Sequence, residues 1–225
     1  MVEDDFSLKY AKQNKKELTR AIIDGKERED KKSAIFMAGS PGAGKTEAAQ
    51  TLASLNSNLV VIDADQFRAK FPGYTGNNSS EFQRGSALLV DASLDLVLKK
   101  GYSFILDGTL ATPKAEQNIE RALKKDYSIL IYYVYQEPYI AWDFTKEREK
   151  IEGRYVPKER FINAFFQSRK NLLQLKDKYQ EKVVINIIVK NFQNEISDSI
   201  MDVDNLELAL PITYTKKGLE DTLND

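Results

Sequence analysis

Short apolar runs alternate with longer stretches of mixed polarity along most of this 225-residue chain. Each run is rich in branched or aromatic side chains and has the length of a β-strand. The predicted strands are Ala34–Ala38, Leu59–Ile62, Ser103–Leu106, Ser128–Tyr135 and Val183–Val189. The predicted helices are an N-terminal one from Phe6 to near Gly25, then Thr46–Leu55, Glu81–Lys100, Pro113–Lys124, Pro138–Lys150 and Pro157–Tyr179. This alternation indicates an α/β fold in which helices cover both faces of a parallel sheet.

The same pattern divides the chain into three segments. Residues 1–32 predict a helix followed by a charged connector. Residues 33–190 predict a three-layer αβα domain with a mainly parallel sheet of about five strands. Residues 191–225 are acidic and of mixed polarity, and this composition fits both a tail docked on the domain and a partly disordered one.

Composition narrows the chemistry that the chain can perform. It contains neither cysteine nor histidine, which excludes thiol nucleophiles, Cys- or His-ligated metals and Ser-His-Asp catalysis. Acid–base chemistry therefore falls to carboxylates, lysine or tyrosine. The 33 basic and 34 acidic residues give a net charge of −1, which argues against a protein that coats nucleic acid. The apolar runs are too short to span a bilayer and the first residues are polar, so we expect a cytoplasmic protein with no membrane partner.

A glycine-rich turn follows the first predicted strand and precedes a predicted helix. Its sequence fits G-x-x-x-x-G-K-[ST] and consists of Gly39, Ser40, Pro41, Gly42, Ala43, Gly44, Lys45 and Thr46. Glycines allow successive backbone N–H groups to face a phosphate, the lysine adds charge at the β- and γ-phosphates, and the Thr46 hydroxyl can ligate Mg²⁺. The turn therefore predicts a P-loop that binds a nucleoside triphosphate with Mg²⁺.

Three carboxylates follow two of the predicted strands. Asp63 and Asp65 end the second strand, and Asp107 ends the third. This edge of an open α/β sheet is where ligands bind, and a kinase needs there a base for the acceptor hydroxyl and an acid for Mg²⁺. If the strand continues, Asp63 and Asp65 share one face, because side chains alternate with period two. Aspartate also caps helices and turns, and we expect that role for at least one of the three, above all Asp63.

Positive charge for a transferring phosphoryl group is available in the segment Thr145–Arg160, which carries Arg148 and Arg154. Gly153 and Pro157 interrupt this segment, as in a mobile cover between two helices. A solvated charged helix face has a similar composition. The chain has no Asn-Lys-x-Asp tetrapeptide, which weighs against a GTPase.

Taken together, these motifs resemble the zeta toxin family of P-loop kinases. The matching elements occur in the family's order: GSPGAGKT at 39–46, VIDADQFR at 61–68, ILDGT at 105–109 and TKEREKIEGRYVPKERF at 145–161. Members of this family phosphorylate a sugar hydroxyl of UDP-N-acetylglucosamine with ATP and Mg²⁺, and a small antitoxin blocks their nucleotide site. The resemblance implies the fold of a P-loop kinase, ATP and Mg²⁺ as cofactors, a nucleotide-sugar substrate and an antitoxin partner.

The resemblance also implies roles for individual residues. Lys45 would contact the ATP phosphates, Thr46 would ligate Mg²⁺, and Asp65 would be the base that takes the acceptor proton. Arg148 and Arg154 would neutralise the γ-phosphoryl group in the transition state. Asp107 would hold the sugar acceptor, and Asp63 and Thr109 are predicted to contact it as well.

One departure from the family pattern leaves the acceptor open. Better-matched members carry Glu before Gly-Thr, whereas this chain carries Asp107, which is one methylene shorter. Related kinases with the same skeleton phosphorylate other small acceptors, so a nucleoside, a dinucleotide cofactor or an antibiotic is an alternative. A nucleotide-dependent ATPase or binding module without any acceptor is a further alternative.

Overall fold

A six-stranded sheet forms the centre of the molecule. The computed structural model describes residues 5–193 and 195–224. The strands follow the spatial order β2-β3-β1-β4-β5-β6, of which the first five are parallel and β6 is antiparallel to β5. They are β1 Ser33–Ala38, β2 Val60–Asp63, β3 Phe104–Asp107, β4 Ser128–Tyr135, β5 Val183–Lys190 and β6 Ile196–Ile200.

Helices cover both faces of this sheet. They are α1 Phe6–Ala21, α2 Lys45–Leu55, α3 Ala64–Arg68, α4 Gln83–Lys100, α5 Lys114–Leu123, α6 Pro138–Glu152, α7 Lys158–Tyr179, α8 Leu206–Ala209 and α9 Lys216–Thr222. A 3₁₀ turn, Gln180–Lys182, joins α7 to β5. No helix in the described ranges is long and apolar enough to cross a lipid bilayer.

Side chains of the central strand alternate between two apolar clusters, as period-two geometry requires. Phe36 and Ala38 of β1 pack in the larger cluster, whereas Ile35 and Met37 pack in the smaller one. The larger cluster receives residues of α4, α5 and α7, and the smaller one receives Ala48 and Ala49 of α2. The predicted three-layer α/β fold with a mainly parallel sheet is therefore confirmed.

The sheet has one strand more than the five expected. β6 pairs with β5 in antiparallel register and lies at the edge of the sheet. Its sequence, ISDSI, exposes four of its five residues, so it lacks the apolar signal of a buried strand. The segment predicted as the tail 191–225 contains β6, α8 and α9 and buries Leu206, Leu219 and Leu223. Residues 1–4, 194 and 225 of the predicted segments lie outside the described residues.

The order of the strands determines where a site can form. β1 lies between β3 and β4, and the chain leaves β1 towards β2 on one side but continues from β3 to β4 on the other. Open α/β sheets bind ligands at the carboxyl ends of strands around such a point. Here that place holds the glycine-rich turn 39–44 together with the ends of β2 and β3.

Candidate active site

The turn between β1 and α2 is shaped by glycines in close contact with neighbouring backbone. Gly39 and Gly42 have φ angles of 132° and 73°, which residues with a Cβ rarely adopt. A Cβ at Gly39 would lie 2.3 Å from the carbonyl oxygen of Val134, and one at Gly42 would lie 2.0 Å from that of Ala141. The turn is therefore fixed against β4 and α6, and it leads directly into the N-terminus of α2, which favours anions.

Lys45 and Thr46 begin α2 and face the carboxylate at the end of β3. The Lys45 ammonium donates to the Ser40 carbonyl at 2.6 Å, and the Thr46 hydroxyl donates to Oδ2 of Asp107 at 2.9 Å. Burial lowers the pKa of Lys45 to about 8, partly opposed by the charge of Asp107. Burial also raises the pKa of Asp107, although Lys45 and Thr46 act in the opposite direction. A bound polyphosphate would stabilise the charged form of Lys45.

The Thr46 hydroxyl and the Asp107 carboxylate together fit a shared magnesium ion. Among the described residues, no group of three or more Asp or Glu side chains could hold a metal alone. Mg²⁺ in nucleotide sites typically takes one or two protein oxygens and completes its shell with phosphate oxygens and water. The oxygens of Thr46 and Asp107 are adjacent and lie beside the phosphate-binding turn, so the donor set suits an ion that arrives with a triphosphate.

The two aspartates at the end of β2 have different surroundings. The strand ends at Asp63, whose Oδ1 accepts the backbone N–H of Asp65 at 2.8 Å and caps α3. The expected capping role of Asp63 is therefore confirmed. The strand does not continue to Asp65, which lies in the first turn of α3 and reaches the cleft from there.

Asp65 binds a different arginine with each carboxylate oxygen. Oδ1 accepts from Arg68, one helical turn further along, and Oδ2 accepts from Arg154. Arg68 is buried and also donates to Gln83 at 2.6 Å, which fixes its guanidinium. Asp65 is thus an anion held from two sides at the edge of a pocket, with a third of its side chain accessible.

The segment that carries the arginines is held in place by the loop after α3. Helix α6 ends at Gly153, which has a φ angle of 70°. A Cβ at Gly153 would lie 1.4 Å from the side chain of Asn77, and one at Gly76 would lie 1.8 Å from the carbonyl oxygen of Glu152. Two glycines therefore permit close packing between residues 76–77 and the end of α6, where the chain turns towards the pocket.

These elements enclose one cleft of about 770 Å³, within the usual size range of ligand sites. Its lining combines charged and polar side chains with apolar ones, among them Phe144, Ile151 and Tyr155. The charged lining residues are Lys45, Glu47, Asp63, Asp65, Arg68, Asp107, Glu147, Arg148, Arg154 and Arg160. A cleft with a phosphate-binding turn, a carboxylate and arginines has the groups needed for phosphoryl transfer.

Residues 18–201 match the family model described as zeta toxin. The chain belongs to the zeta toxin family. No curated protein sequence matches it. One similar solved structure is a chain of the PezAT chromosomal toxin–antitoxin system of Streptococcus pneumoniae, with a TM-score of 0.65, 17% identity, and coverage of 100% of this chain and 88% of that one.

A second group of similar structures comes from the AvrRxo1-ORF1:AvrRxo1-ORF2 complex. The complex with sulphate ions gives a TM-score of 0.63 at 16% identity, covering 92% of this chain and 70% of that one. The complex with ATP gives a TM-score of 0.62 at 13% identity, and the match covers 87% of this chain and 64% of that one. At these identities the likeness concerns the fold, which this chain shares.

The fold of this chain brings most of the predicted site residues into one cleft. The phosphate-binding turn, the three aspartates and Arg154 converge there. Thr109 lines the cleft too, and its carbonyl accepts the N–H of Gly39 at 3.2 Å. Arg148 also lines the cleft, but its guanidinium binds Glu152 at 3.2 Å, a half-exposed pair one turn apart on α6.

Three further cleft residues were given no role of their own from the sequence, although Arg160 ends the charged segment predicted there. Arg68 holds Asp65, Gln83 holds Arg68, and Arg160 lines the cleft from the first turn of α7. The spacing of Asp65 and Arg68, three residues apart at a helix start, is a usable signal for an ion pair. Gln83 carries no such signal, because its contact depends on the packing of α4 against α3.

The buried cap Asp63 gives a prediction about stability. Burial raises the pKa of Asp63 to about 6 from an ordinary 3.8, so the folded state holds this proton more tightly than the unfolded state does. The carboxylate therefore lowers stability as pH rises from about 4 to about 6, and the loss is complete above that range. Asn is an equally good cap but carries no charge. We expect Asp63→Asn to raise the free energy of unfolding at pH 7.5 by about 1–2 kcal/mol.

Urea denaturation of Asp63→Asn and the unaltered protein at pH 4.5 and pH 7.5 measures this effect. The gain should be clear at pH 7.5 and should shrink at pH 4.5. Asp91→Asn is the matched control. It removes a carboxylate of α4 that pairs with Lys114 of α5 in solvent, and it should change the stability little at either pH. A variant that is less stable than the unaltered protein at pH 7.5 would show that the charge of Asp63 stabilises the fold.

Proposed function

We propose that this protein is an ATP- and Mg²⁺-dependent kinase that phosphorylates a sugar hydroxyl of a UDP-activated amino sugar, such as UDP-N-acetylglucosamine. The observation that carries the proposal is the position of Asp65. This carboxylate shares one cleft with Lys45 and Thr46 and binds Arg154, which follows the end of α6. A base, a phosphate-binding turn and an arginine in one cleft are the parts that a kinase needs and that a simple nucleotide-binding module does not.

In the proposed reaction each group has a defined task. The turn 39–44 and Lys45 bind the β- and γ-phosphates. Thr46 and Asp107 would hold Mg²⁺, which when bound would neutralise negative charge on the phosphate oxygens. Arg154 leaves Asp65 and contacts the γ-phosphoryl group. Asp65 then takes the proton of the acceptor hydroxyl while that oxygen bonds to the γ-phosphorus. The bond from this phosphorus to the bridging oxygen breaks, giving ADP and the phosphorylated acceptor.

The acceptor is expected beside the end of β3. Thr46 uses only Oδ2 of Asp107, which leaves Oδ1 for an acceptor hydroxyl. Asp63 and Thr109 line the same wall and add further polar groups. The acceptor hydroxyl must also lie within hydrogen-bond reach of Asp65 for proton transfer. We therefore propose that Asp63, Asp107 and Thr109 orient the sugar, while Asp65 reacts with it.

We further propose that the protein acts as the toxin of a toxin–antitoxin pair. Its family supports this role, and the similar PezAT chain is part of a toxin–antitoxin system. A similar AvrRxo1 complex contains ATP, which supports nucleotide use by this fold. The protein partner would be an antitoxin that prevents phosphoryl transfer until it is lost.

Mass spectrometry of acceptor mixtures tests the proposed reaction. The purified protein is incubated with ATP, Mg²⁺ and a panel of UDP-sugars, nucleosides, NAD and aminoglycosides, with Mg²⁺-free samples as controls. We expect a phosphate-mass gain on UDP-N-acetylglucosamine or a close relative. A phosphate-mass gain on another compound would support the kinase activity but would show that the proposed acceptor is wrong. ATP hydrolysis with no acceptor modified would favour the nucleotide-dependent ATPase or binding module.

A further inference from the structure

The last described residues of the chain cross from helix α6 to helix α7. We call residues 214–224 the C-terminal strut. On α6, the indole N–H of Trp142 donates to the carbonyl of Asn224 at 2.7 Å. The hydroxyls of Tyr139 and Thr222 are 3.0 Å apart. The strut is therefore bonded to the first half of α6 through both backbone and side chain.

The same strut is bonded to the first turns of α7. Lys158 donates to the carbonyl of Leu223 at 3.1 Å, and Lys216 donates to the side chain of Asn163 at 2.7 Å. Leu219 and Leu223 are almost fully buried and belong to the larger apolar cluster. These leucines anchor the strut, because burying two such side chains contributes more to stability than the two hydrogen bonds to α7 do.

A third attachment lies where α6 begins. The Tyr214 hydroxyl donates to one carboxylate oxygen of Glu137, and the Tyr135 hydroxyl donates to the other at 2.9 Å. Glu137 immediately precedes α6, and Tyr135 ends β4. The shared contact with Glu137 therefore connects the strut to the central sheet. Hydrogen bonds of the strut thus connect the central sheet, α6 and α7.

The arginine segment lies between these attachments. Trp142 precedes Arg148 on α6, and Lys158 follows Arg154 at the start of α7. The family match ends at residue 201, before the strut begins. We propose that the C-terminal strut positions Arg148 and Arg154 in the cleft by fixing the angle and distance between α6 and α7. This role rests on the proposed function, since it concerns the arginines of phosphoryl transfer.

Releasing the strut in the full-length chain tests the proposal. The double variant Leu219→Ala/Leu223→Ala removes its two apolar anchors. Trp142 is the chain's single tryptophan, so its emission reports directly on the strut. We expect a red-shifted emission and faster acrylamide quenching in the double variant, because the indole loses its cover. We also expect faster hydrogen exchange in the peptide that covers residues 148–157.

Kinetics then separates positioning from stability. The expected loss in kcat is about tenfold to a hundredfold, the cost of misplacing a transition-state group by about 1 Å, with the Kd for ATP within about twofold. Leu206→Ala is the matched control. Leu206 is an equally buried leucine of the C-terminal segment, but it lies beside Arg169 in the middle of α7. Leu206→Ala should lower stability with kcat unchanged.

The two proposals fail in different ways. If no acceptor is phosphorylated by the unaltered protein, the proposed function fails, while fluorescence and hydrogen exchange still test the strut. If the double variant is folded, its Trp142 is exposed, and both kcat and exchange at residues 148–157 are unchanged, the strut does not position the arginines. An equal fall in kcat for Leu206→Ala would also overturn the proposal, because general destabilisation would then account for the loss.

Discussion

Asp65→Asn is expected to lower kcat about a thousandfold while the Kd for ATP stays within about twofold, since a positioned general base contributes about 10²- to 10⁴-fold. Asn has nearly the same shape but cannot take the acceptor proton. The phosphate-binding turn and Lys45 are untouched, because Asp65 contacts Arg68 and Arg154 and not the turn. Single-turnover transfer measures the loss, and equilibrium titration with ATP measures binding.

The control for this substitution is Asp91→Asn, which also removes one ion-paired carboxylate but lies outside the cleft. It should retain full activity. Melting temperatures of both variants show whether the lost ion pairs matter for the fold. We expect little change for Asp91→Asn, whose pair is exposed, and a lower melting temperature for Asp65→Asn, because the buried Arg68 loses its counter-ion. Transfer by Asp65→Asn at the unaltered rate would remove Asp65 as the base and direct attention to Asp63 or Asp107.

The sheet and the glycine-rich turn were predictable because their signals are local. Strands β1 to β5 are mostly buried, so each leaves an apolar run bounded by charged or turn residues. The turn needs glycine at fixed spacing because β4 and α6 approach it closely. β6 had no such signal, since four of its five residues are exposed and its three central residues are polar. The sequence predicted its residues only as part of the tail.

The arrangement of the site was less predictable because its contacts are long-range. Asp65 and Arg154 are 89 positions apart, and nothing in either neighbourhood identifies the other as partner. The sequence equally could not distinguish Arg148 from Arg154, since both lie in one charged segment. The distinction arises from Gly153, which ends α6 and turns the chain so that Arg154 faces Asp65 while Arg148 stays beside Glu152.

That distinction leads to a prediction about the two arginines. We expect Arg154→Gln to lower kcat about a thousandfold, the lower end of the range for an arginine that contacts a transferring phosphoryl group. Arg148→Gln should cost only about tenfold, because its guanidinium binds the half-exposed Glu152 and not Asp65. Arg121→Gln, which breaks an exposed pair with Asp95 on another face, is the control and should be fully active.

The double variant Asp65→Asn/Arg154→Gln makes the prediction sharper. If Asp65 and Arg154 act in the same chemical step, the combined loss in kcat should be far smaller than the product of the single losses, as for groups that act as a unit. Multiplicative losses would mean that the two side chains serve separate steps and that their ion pair belongs only to the protein without nucleotide. A larger loss for Arg148→Gln than for Arg154→Gln would instead assign the transition-state role to Arg148, which requires the end of α6 to move when ATP binds.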